Sequence, residues 1–492
     1  MSVETAGRHD VQPESDRVWS IETHGIDPIP DADRHGKPSE LFWVWCAANI
    51  SILGIAYGGY LVTFYGLSFW QGVAAAVIGT VASFLLVGFV SLAGKLAGAP
   101  TLVLSRAAFG ITGNVIPTLV SWIALIGWEI ILVALATLSV EAILDRLGAP
   151  SGDVVTGIAF VVIAGGTIAI GLLGHATIVR IQTWFTYAFA ALTVVFFALV
   201  ADQISWNKVS SLPSASPAWF VGGVSIVAAG LGIGWVNAGA DYSRYLPRDV
   251  SSRAVVAWTT FGASIAPLIL IPFGLLLAAG NADIANSLNP IAVLARDVPT
   301  WFLVPYLLTA VGGLLAGAVL DIYSSGLNLL TLGLRIPRYQ SVAFDGVLMV
   351  VGNIYILFFA RDFFGPFQGF LITLGVLLGS WAAIFLVDLA MFRWRAGYAE
   401  ADLYRAGARY GAWNAAGVVA FLVAAFIGLG LVKSTAAVFS WAGYLLGPFG
   451  GDDGAVAASS IGLWIAFVVA GGLYAVLSLT LGSAPSRPRG ER

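Results

Sequence analysis

Two carboxylates, Glu129 and Asp321, stand in the middle of long apolar stretches of this 492-residue chain. Glu129 directly follows Trp128, and Asp321 sits in Leu320-Asp321-Ile322-Tyr323-Ser324-Ser325-Gly326-Leu327-Asn328. An ionisable side chain inside a membrane is costly and marks a path for substrate, ion or proton. Both carboxyls are therefore candidates to bind and release a coupling proton. Asp321, Ser324, Ser325 and Asn328 follow at i, i+3, i+4 and i+7, which is one face of a helix. That polar stripe reads as a wall of the path; the plainer alternative is a hydrogen-bonded seam between helices. For Glu129 the alternative is a pairing with a distant Arg or a backbone group.

Two spans carry the marks of an opening beside such groups. Gly230, Gly232, Gly234 and Gly239 weaken the sixth span near its expected midplane, with Trp235 and Asn237 inside the break. The first span has a similar design: Asn49 and Ser51 fall mid-membrane, followed by Gly54, Gly58 and Gly59. A helix interrupted inside lipid exposes backbone groups that only protein, a cavity or a ligand can satisfy. Two such breaks five helices apart suggest an inverted repeat with a substrate held at midplane between them. Trp128 and Trp235 are the best aromatic candidates for holding a flat heteroaromatic ring, and offset stacking contributes roughly 0.5–1.5 kcal/mol per pair beyond burial. Many of the 17 tryptophans need no such role. Trp43, Trp45, Trp70 and Trp219 read as an interfacial belt.

The elements that position these residues follow from composition. The chain is 58% hydrophobic and 10% charged, with mean hydropathy +0.88. Soluble domains average about 25% charged residues. Apolar runs of about 20 residues place twelve spans near 41–65, 69–94, 114–138, 154–174, 181–202, 218–240, 254–280, 300–334, 342–360, 364–390, 412–433 and 460–482. With both termini cytoplasmic, the outside loops hold only Arg146, Lys208, Arg296, Arg361 and Lys433 of the 24 Lys and Arg residues. That bias supports the orientation and the even span count. The expected organisation is a solvated cytoplasmic N-terminal tail (1–40), a transporter domain (41–482) and a cytoplasmic C-terminal tail (483–492). No cleaved leader is expected in the polar N-terminal segment. Segment 434–459 reads as an interfacial helix and a loop.

Enzyme chemistry finds little support. His9, His24 and His35 fall in the tail and His175 at the inside end of the fourth span. No metalloprotease helix, P-loop or nucleophile elbow is present. The single cysteine, Cys46, excludes an intramolecular disulfide and a cysteine metal cluster, and reads as a packing residue. Basic inside loops follow from topology, so nucleic-acid binding is not indicated. A channel or a non-transporting receptor is the alternative from another class.

Asp241-Tyr242-Ser243-Arg244-Tyr245-Leu246-Pro247, after the Gly-rich sixth span, resembles a signature of the nucleobase:cation symporter family. Ile21-Glu22-Thr23-His24-Gly25-Ile26-Asp27-Pro28-Ile29-Pro30, with Arg34 and the Leu41-to-Asn49 stretch, resembles that family's N-terminal signature. Gly127-Trp128 fits its substrate-stacking tryptophan. Asp388 with Arg393, Asp402-Leu403-Tyr404 and Tyr410 to Asn414 is similar to its joint between helices 10 and 11. The order is kept over nearly the whole chain, with most likeness to the purine–cytosine permease branch.

The resemblance implies an all-α integral membrane fold: twelve transmembrane helices in a leucine-transporter-like, five-plus-five inverted repeat with helices 1 and 6 broken. Repeat one covers about 41–202, repeat two about 218–390, and two appended helices about 412–482. It further implies alternating-access import of cytosine, a purine or a related heterocycle, with a proton or sodium as coupling ion. The expected setting is the cell's inner (plasma) membrane, among lipid, with no cofactor and no obligate protein partner. Carried over by position, Trp128 and Trp235 take the two ring faces, and Asn49 and Ser51 lie near substrate or cation. Gly234, Asn237 and Asp321 complete the expected substrate-binding set.

Asp321 stands where relatives place a substrate-binding Asn. An ionised Asp only accepts hydrogen bonds, so it favours a donor-rich or cationic ring, or needs its own proton. Leu132 stands where a polar residue is expected one turn after Trp128. Leu315, Ala316 and Gly317 stand where sodium-dependent relatives place hydroxyls, and their side chains offer no oxygen to a hard cation. Proton coupling through Asp321 or Glu129 is therefore expected ahead of sodium. The alternative substrates are other nitrogen heterocycles of the allantoin, hydantoin, thiamine or pyridoxine type.

Overall fold

A computed structural model describes residues 18–22, 24–150, 152–287, 290–296, 298–359, 364–434 and 437–481. The expected C-terminal tail and residues 1–17 of the expected N-terminal tail lie outside the described residues. No β-strand occurs among the described residues. The main helices are α1 (Glu40–Asn49), α2 (Leu53–Thr63), α3 (Phe69–Ala97), α4 (Val115–Arg146), α5 (Asp153–Leu173), α6 (His175–Val200) and α7 (Pro217–Gly230). After them come α8 (Ser252–Ala278), α9 (Leu303–Thr331), α10 (Arg338–Phe358), α11 (Phe364–Asp388), α12 (Ala415–Gly430) and α13 (Gly462–Thr480). Among the described residues ten helices are long and apolar enough to cross a membrane, and the bent pair α1 and α2 makes up to eleven. The expected eleventh span, α12, is an apolar helix of 16 residues, at about 1.5 Å per residue shorter than the ~30 Å hydrocarbon core.

Local chemistry sets the ends. Ser68 and Gln71 form a reciprocal capping box at the start of α3, satisfying two backbone donors that a helix start leaves unpaired. Gly98 closes α3 in the left-handed region at φ 69°, a conformation that glycine adopts without Cβ strain. The α1–α2 bend is 54°. Ser51 accepts a hydrogen bond from the Leu53 amide at 3.2 Å, so its side chain serves the new helix start. The sixth span breaks at Leu231 (φ −112°, ψ −105°), between α7 and the short turn Gly232–Trp235. There the Gly232 amide donates to Ser83 Oγ of α3 at 3.1 Å. Each break is thus stitched by side-chain oxygen rather than left bare to lipid.

Close crossings hold the bundle. A Cβ on Gly58 would collide with backbone of α8, and one on Gly274 with the Ile55 carbonyl of α2. Small residues let helix backbones approach this closely. α9 packs most extensively on α4, and α10 lies against α4, α5 and α9.

Three expectations need correction. Segment 434–459 holds no long interfacial helix among its described residues; it is a series of 3-10 turns followed by Ala455–Ser459. Trp45 is not part of an interfacial belt, being fully buried. Residues 18–39 do not form a solvated tail: Glu22, Ile29 and Arg34 are buried against the helix ends.

Candidate functional site

A small cavity of about 50 Å³ lies between the two interruptions. Asn49, Ser51, Leu53, Gly54 and Tyr57 line it from α1 and α2, and Trp128 and Leu132 from α4. Gly230, Leu231 and Trp235 line it from the broken sixth span, Pro267 from α8 and Gly313 from α9. That volume admits a few waters, each needing about 10–15 Å³; a heterocycle requires the walls to part. Trp128 is braced edge-on by Phe367 and Phe370, and Trp235 edge-on by Trp45, with ring centroids 5.7–6.0 Å apart. Asn49 Nδ2 donates to the Trp45 carbonyl at 2.8 Å. The Tyr57 hydroxyl and Trp45 Nε1 are buried without a hydrogen-bond partner. Buried polar atoms without partners are rare, and Tyr57 lines the cavity.

The cavity therefore gathers four of the expected residues: Asn49, Ser51, Trp128 and Trp235. Gly234 lies behind its wall, where a Cβ would stand 3.2 Å from Trp128 Nε1. Asn237, Glu129, Asp321, Ser324, Ser325 and Asn328 do not line it. Tyr57, Pro267 and Gly313 join the wall without having been expected. Tyr57 follows the first-span break by one helical turn, the signal that would have selected it.

The remaining polar residues form a second group deeper in the bundle. Successive residues of a helix project about 100° apart, so Glu129 faces away from the cavity that Trp128 lines. Glu129 Oε1 accepts from Ser325 Oγ at 2.7 Å. Asp345 of α10, unexpected from sequence, accepts from Trp122 Nε1 at 2.9 Å. Asn237 and Asn328 both donate to Ser121 Oγ, at 2.7 and 2.6 Å. Ser324 lies 3.2 Å from the Tyr242 hydroxyl, which donates to the Leu320 carbonyl. The stripe of α9 is thus a hydrogen-bonded seam. Within that seam Glu129 Oε2, Asp345 Oδ2 and both oxygens of Asp321 are buried without partners.

A third cluster closes one end. Glu22 Oε1 accepts from Arg244 at 2.8 Å, Tyr245 at 2.7 Å and Tyr323 at 3.2 Å. Its Oε2 accepts from the His175 amide at 2.9 Å and lies 3.9 Å from Arg338. Burial alone would raise the Glu22 carboxyl, but Arg338, Arg244, Tyr245 and the His175 amide hold it below the ordinary carboxylate range. The rest of the Asp241–Pro247 segment is equally committed. Asp241 accepts from the Thr101 amide and hydroxyl, both at 2.8 Å, and Ser243 donates to the Ser91 carbonyl. Asp388 pairs with Arg393 at 2.9 Å and accepts from Tyr474 at 2.8 Å.

A multi-pass helical bundle with a small cavity beside its bent helix pair has the build of a membrane transporter. Residues 28–447 match the family described as permease for cytosine/purines, uracil, thiamine, allantoin, and the chain belongs to that family. It is 27% identical over 446 residues to YxlA of Bacillus subtilis, assigned as a purine–cytosine permease, covering 88% of this chain and 92% of that one. It is 24% identical over 367 residues to the purine–cytosine permease FCY2 of Saccharomyces cerevisiae, 67% of each chain. The fold matches Mhp1, a nucleobase-cation-symport-1 family transporter solved closed with bromovinylhydantoin bound. That match has a TM-score of 0.70 at 18% identity over 93% of this chain and 96% of the other.

Proposed function

We propose that this protein is a secondary active importer of a nucleobase-like heterocycle, of the cytosine or purine class, working by alternating access and coupled to protons. The observation that carries the reading is the cavity itself: two indoles, Trp128 and Trp235, at a small space lined from both interrupted stretches. Its unpartnered Tyr57 hydroxyl supplies a polar contact for a heterocycle's edge. In this reading the two indoles take the ring faces, and Asn49, Ser51 and Tyr57 meet the ring edge. Gly234 leaves room for the Trp128 indole, and Asn237 steadies the sixth span through Ser121. Glu129 and Asp321, neither of which lines the cavity, are the candidates for the proton.

The proposed architecture has twelve spans, with α12 as the eleventh, in a five-plus-five inverted repeat broken at helices 1 and 6. Both termini face the cytoplasm and the setting is the inner (plasma) membrane. Proton coupling is favoured over sodium because Leu315, Ala316 and Gly317 bring no side-chain oxygen. The Ala316 carbonyl is moreover occupied by Gln182 at 2.8 Å.

A thermal-shift screen of purified protein against cytosine, adenine, hypoxanthine, uracil, allantoin, hydantoins and thiamine tests the substrate. Hydantoins belong in it because Mhp1 holds one. Stabilisation by cytosine or a purine, with counterflow of that compound in proteoliposomes, supports the reading. Counterflow absent for every compound in the screen sinks it. Uptake that persists without a pH effect in sodium-free buffer sinks the proton.

A further inference from the structure

The seam behind Trp128 holds three buried carboxylates and, among the described residues, no cation. Glu129, Asp321 and Asp345 are each at most 1% exposed, and the charges acting on Glu129 are Asp345 and Asp321. Among the described residues, the cations on neighbouring elements are engaged elsewhere or face outward: Arg106 donates to the Thr331 and Leu403 carbonyls, and Arg180 of α6 is exposed. α5 carries one ionisable residue, Asp153, at its far end. Asp388 of α11 is held by Arg393. Arg338, at the start of α10, is committed to the Gly171 carbonyl and to Glu22. Asp241 and Tyr242 face neighbouring parts of α9 and Tyr323 lies on α9 itself, each already hydrogen-bonded.

Three bare carboxylates cannot all stay ionised in such a place. The hydroxyl of Ser325 donates to Glu129 Oε1 and lies within reach of Asp345 as well. Each of the two acids keeps one unpartnered oxygen, Glu129 Oε2 and Asp345 Oδ2. Two neighbouring buried carboxylates oppose each other's ionisation, so a proton on either one relieves both.

We propose that Glu129 and Asp345, bridged by Ser325, form a proton-binding pair behind the cavity wall, where α10 meets α4 and α9. The proton forms an O–H bond on one of the two carboxyls, leaving the pair with one negative charge in place of two. Release of that proton places two like charges between α10 and α4, which favours their separation. Glu129 is joined by the chain to Trp128, so the protonation state of the pair is felt at the cavity wall. This rests on the proton-coupled reading above and names which groups carry the proton. Asp321, whose carboxyl has no donor bridging it to another acid, is outside the pair.

The test uses full-length protein in lipid, with Glu129→Gln, Asp345→Asn and the conservative Asp345→Glu. Infrared difference spectra taken from alkaline to acidic pH read protonated carboxylic acids in apolar surroundings, with no substrate needed. A titrating band in the wild type that Glu129→Gln and Asp345→Asn each remove, and that Asp345→Glu retains, is the expected result. In proteoliposomes, accumulation of cytosine driven by a pH gradient then falls at least ~10-fold in both neutral variants, while counterflow, which needs no net proton movement, persists. A titrating band unchanged in both variants overturns the pair. So does a loss of counterflow in parallel with accumulation, which marks a structural role. The two readings fail separately. Wild-type uptake indifferent to pH sinks proton coupling, whereas pH-driven uptake surviving in both variants sinks only the pair.

Discussion

Two buried clusters of charge in this protein are built on opposite principles. Around Glu22, one carboxylate meets two guanidiniums, two tyrosine hydroxyls and a backbone amide. Around Glu129, three carboxylates meet one hydroxyl and one indole donor and, among the described residues, no cation. The first cluster is complete as it stands and ties the N-terminal segment to the Asp241–Pro247 segment, α9 and α10. The second is incomplete in its ionised form. A compensated cluster suits a clamp; an uncompensated one suits a group whose charge must come and go during transport.

The largest effect that would break this contrast comes from Arg244→Met. Removing one partner of a buried ion pair leaves an uncompensated charge and costs about 3–5 kcal/mol. Thermal unfolding in detergent is expected to show that loss, and adding Glu22→Gln to the same chain should return part of it. If Arg244→Met melts like the wild type, the clamp is not load-carrying and the contrast collapses.

The next test asks for opposite behaviour from two similar changes. Glu22→Gln removes charge-assisted hydrogen bonds worth about 1.5–3 kcal/mol. Asp321→Asn, in the uncompensated cluster, removes a buried carboxyl with no partner and should leave the melting temperature equal or higher. Equal destabilisation by both would show that Asp321 has a partner after all.

Acidity separates the clusters as well. The Glu22 carboxyl is held below the ordinary carboxylate range by Arg338 and Arg244, against the burial that would raise it. A depressed folded value means its stabilisation is fully present above the unfolded value, about 4.3, and is lost as pH falls through the folded one. The difference in melting temperature between wild type and Glu22→Gln should therefore stay constant from neutral to mildly acidic pH and shrink only in strong acid. A difference that fades near neutrality would contradict the clamp.

Much of this was legible from sequence, in ways that follow the range of the interactions. Apolar runs placed the helices because burial is a local, additive property of a segment. The Gly-rich sixth span and the Asn49–Ser51 stretch pointed to interruptions, and the structure bends or breaks at Ile50–Ile52 and at Leu231. Asp345 escaped because the expected ninth span began at 342, leaving it at the mouth. The helix instead starts at Arg338, after Pro337, so Asp345 lies two turns inside. Glu22 escaped for another reason: its partner Arg244 is 222 residues away, and no local pattern records a pairing of that range. The Asp241–Pro247 motif was recognisable as a family signature, yet its work became visible only when Thr101, Ser91 and Glu22 were found at its side chains.

The finest comparison removes one hydroxyl from each cluster. Tyr245→Phe takes one of several donors from Glu22, and the remaining ones keep the carboxylate satisfied, so the expected cost is about 0.5–1.5 kcal/mol. Ser325→Ala takes the hydroxyl donor from Glu129, but a carboxyl that can accept a proton has another way to satisfy itself. Its melting temperature should thus change by less than that of Tyr245→Phe, while the pH midpoint of gradient-driven uptake moves. Tyr245→Phe should leave that midpoint where it was. If instead Tyr245→Phe moves the midpoint and Ser325→Ala does not, the proton is handled at the clamp, and the roles assigned to the two clusters must be exchanged.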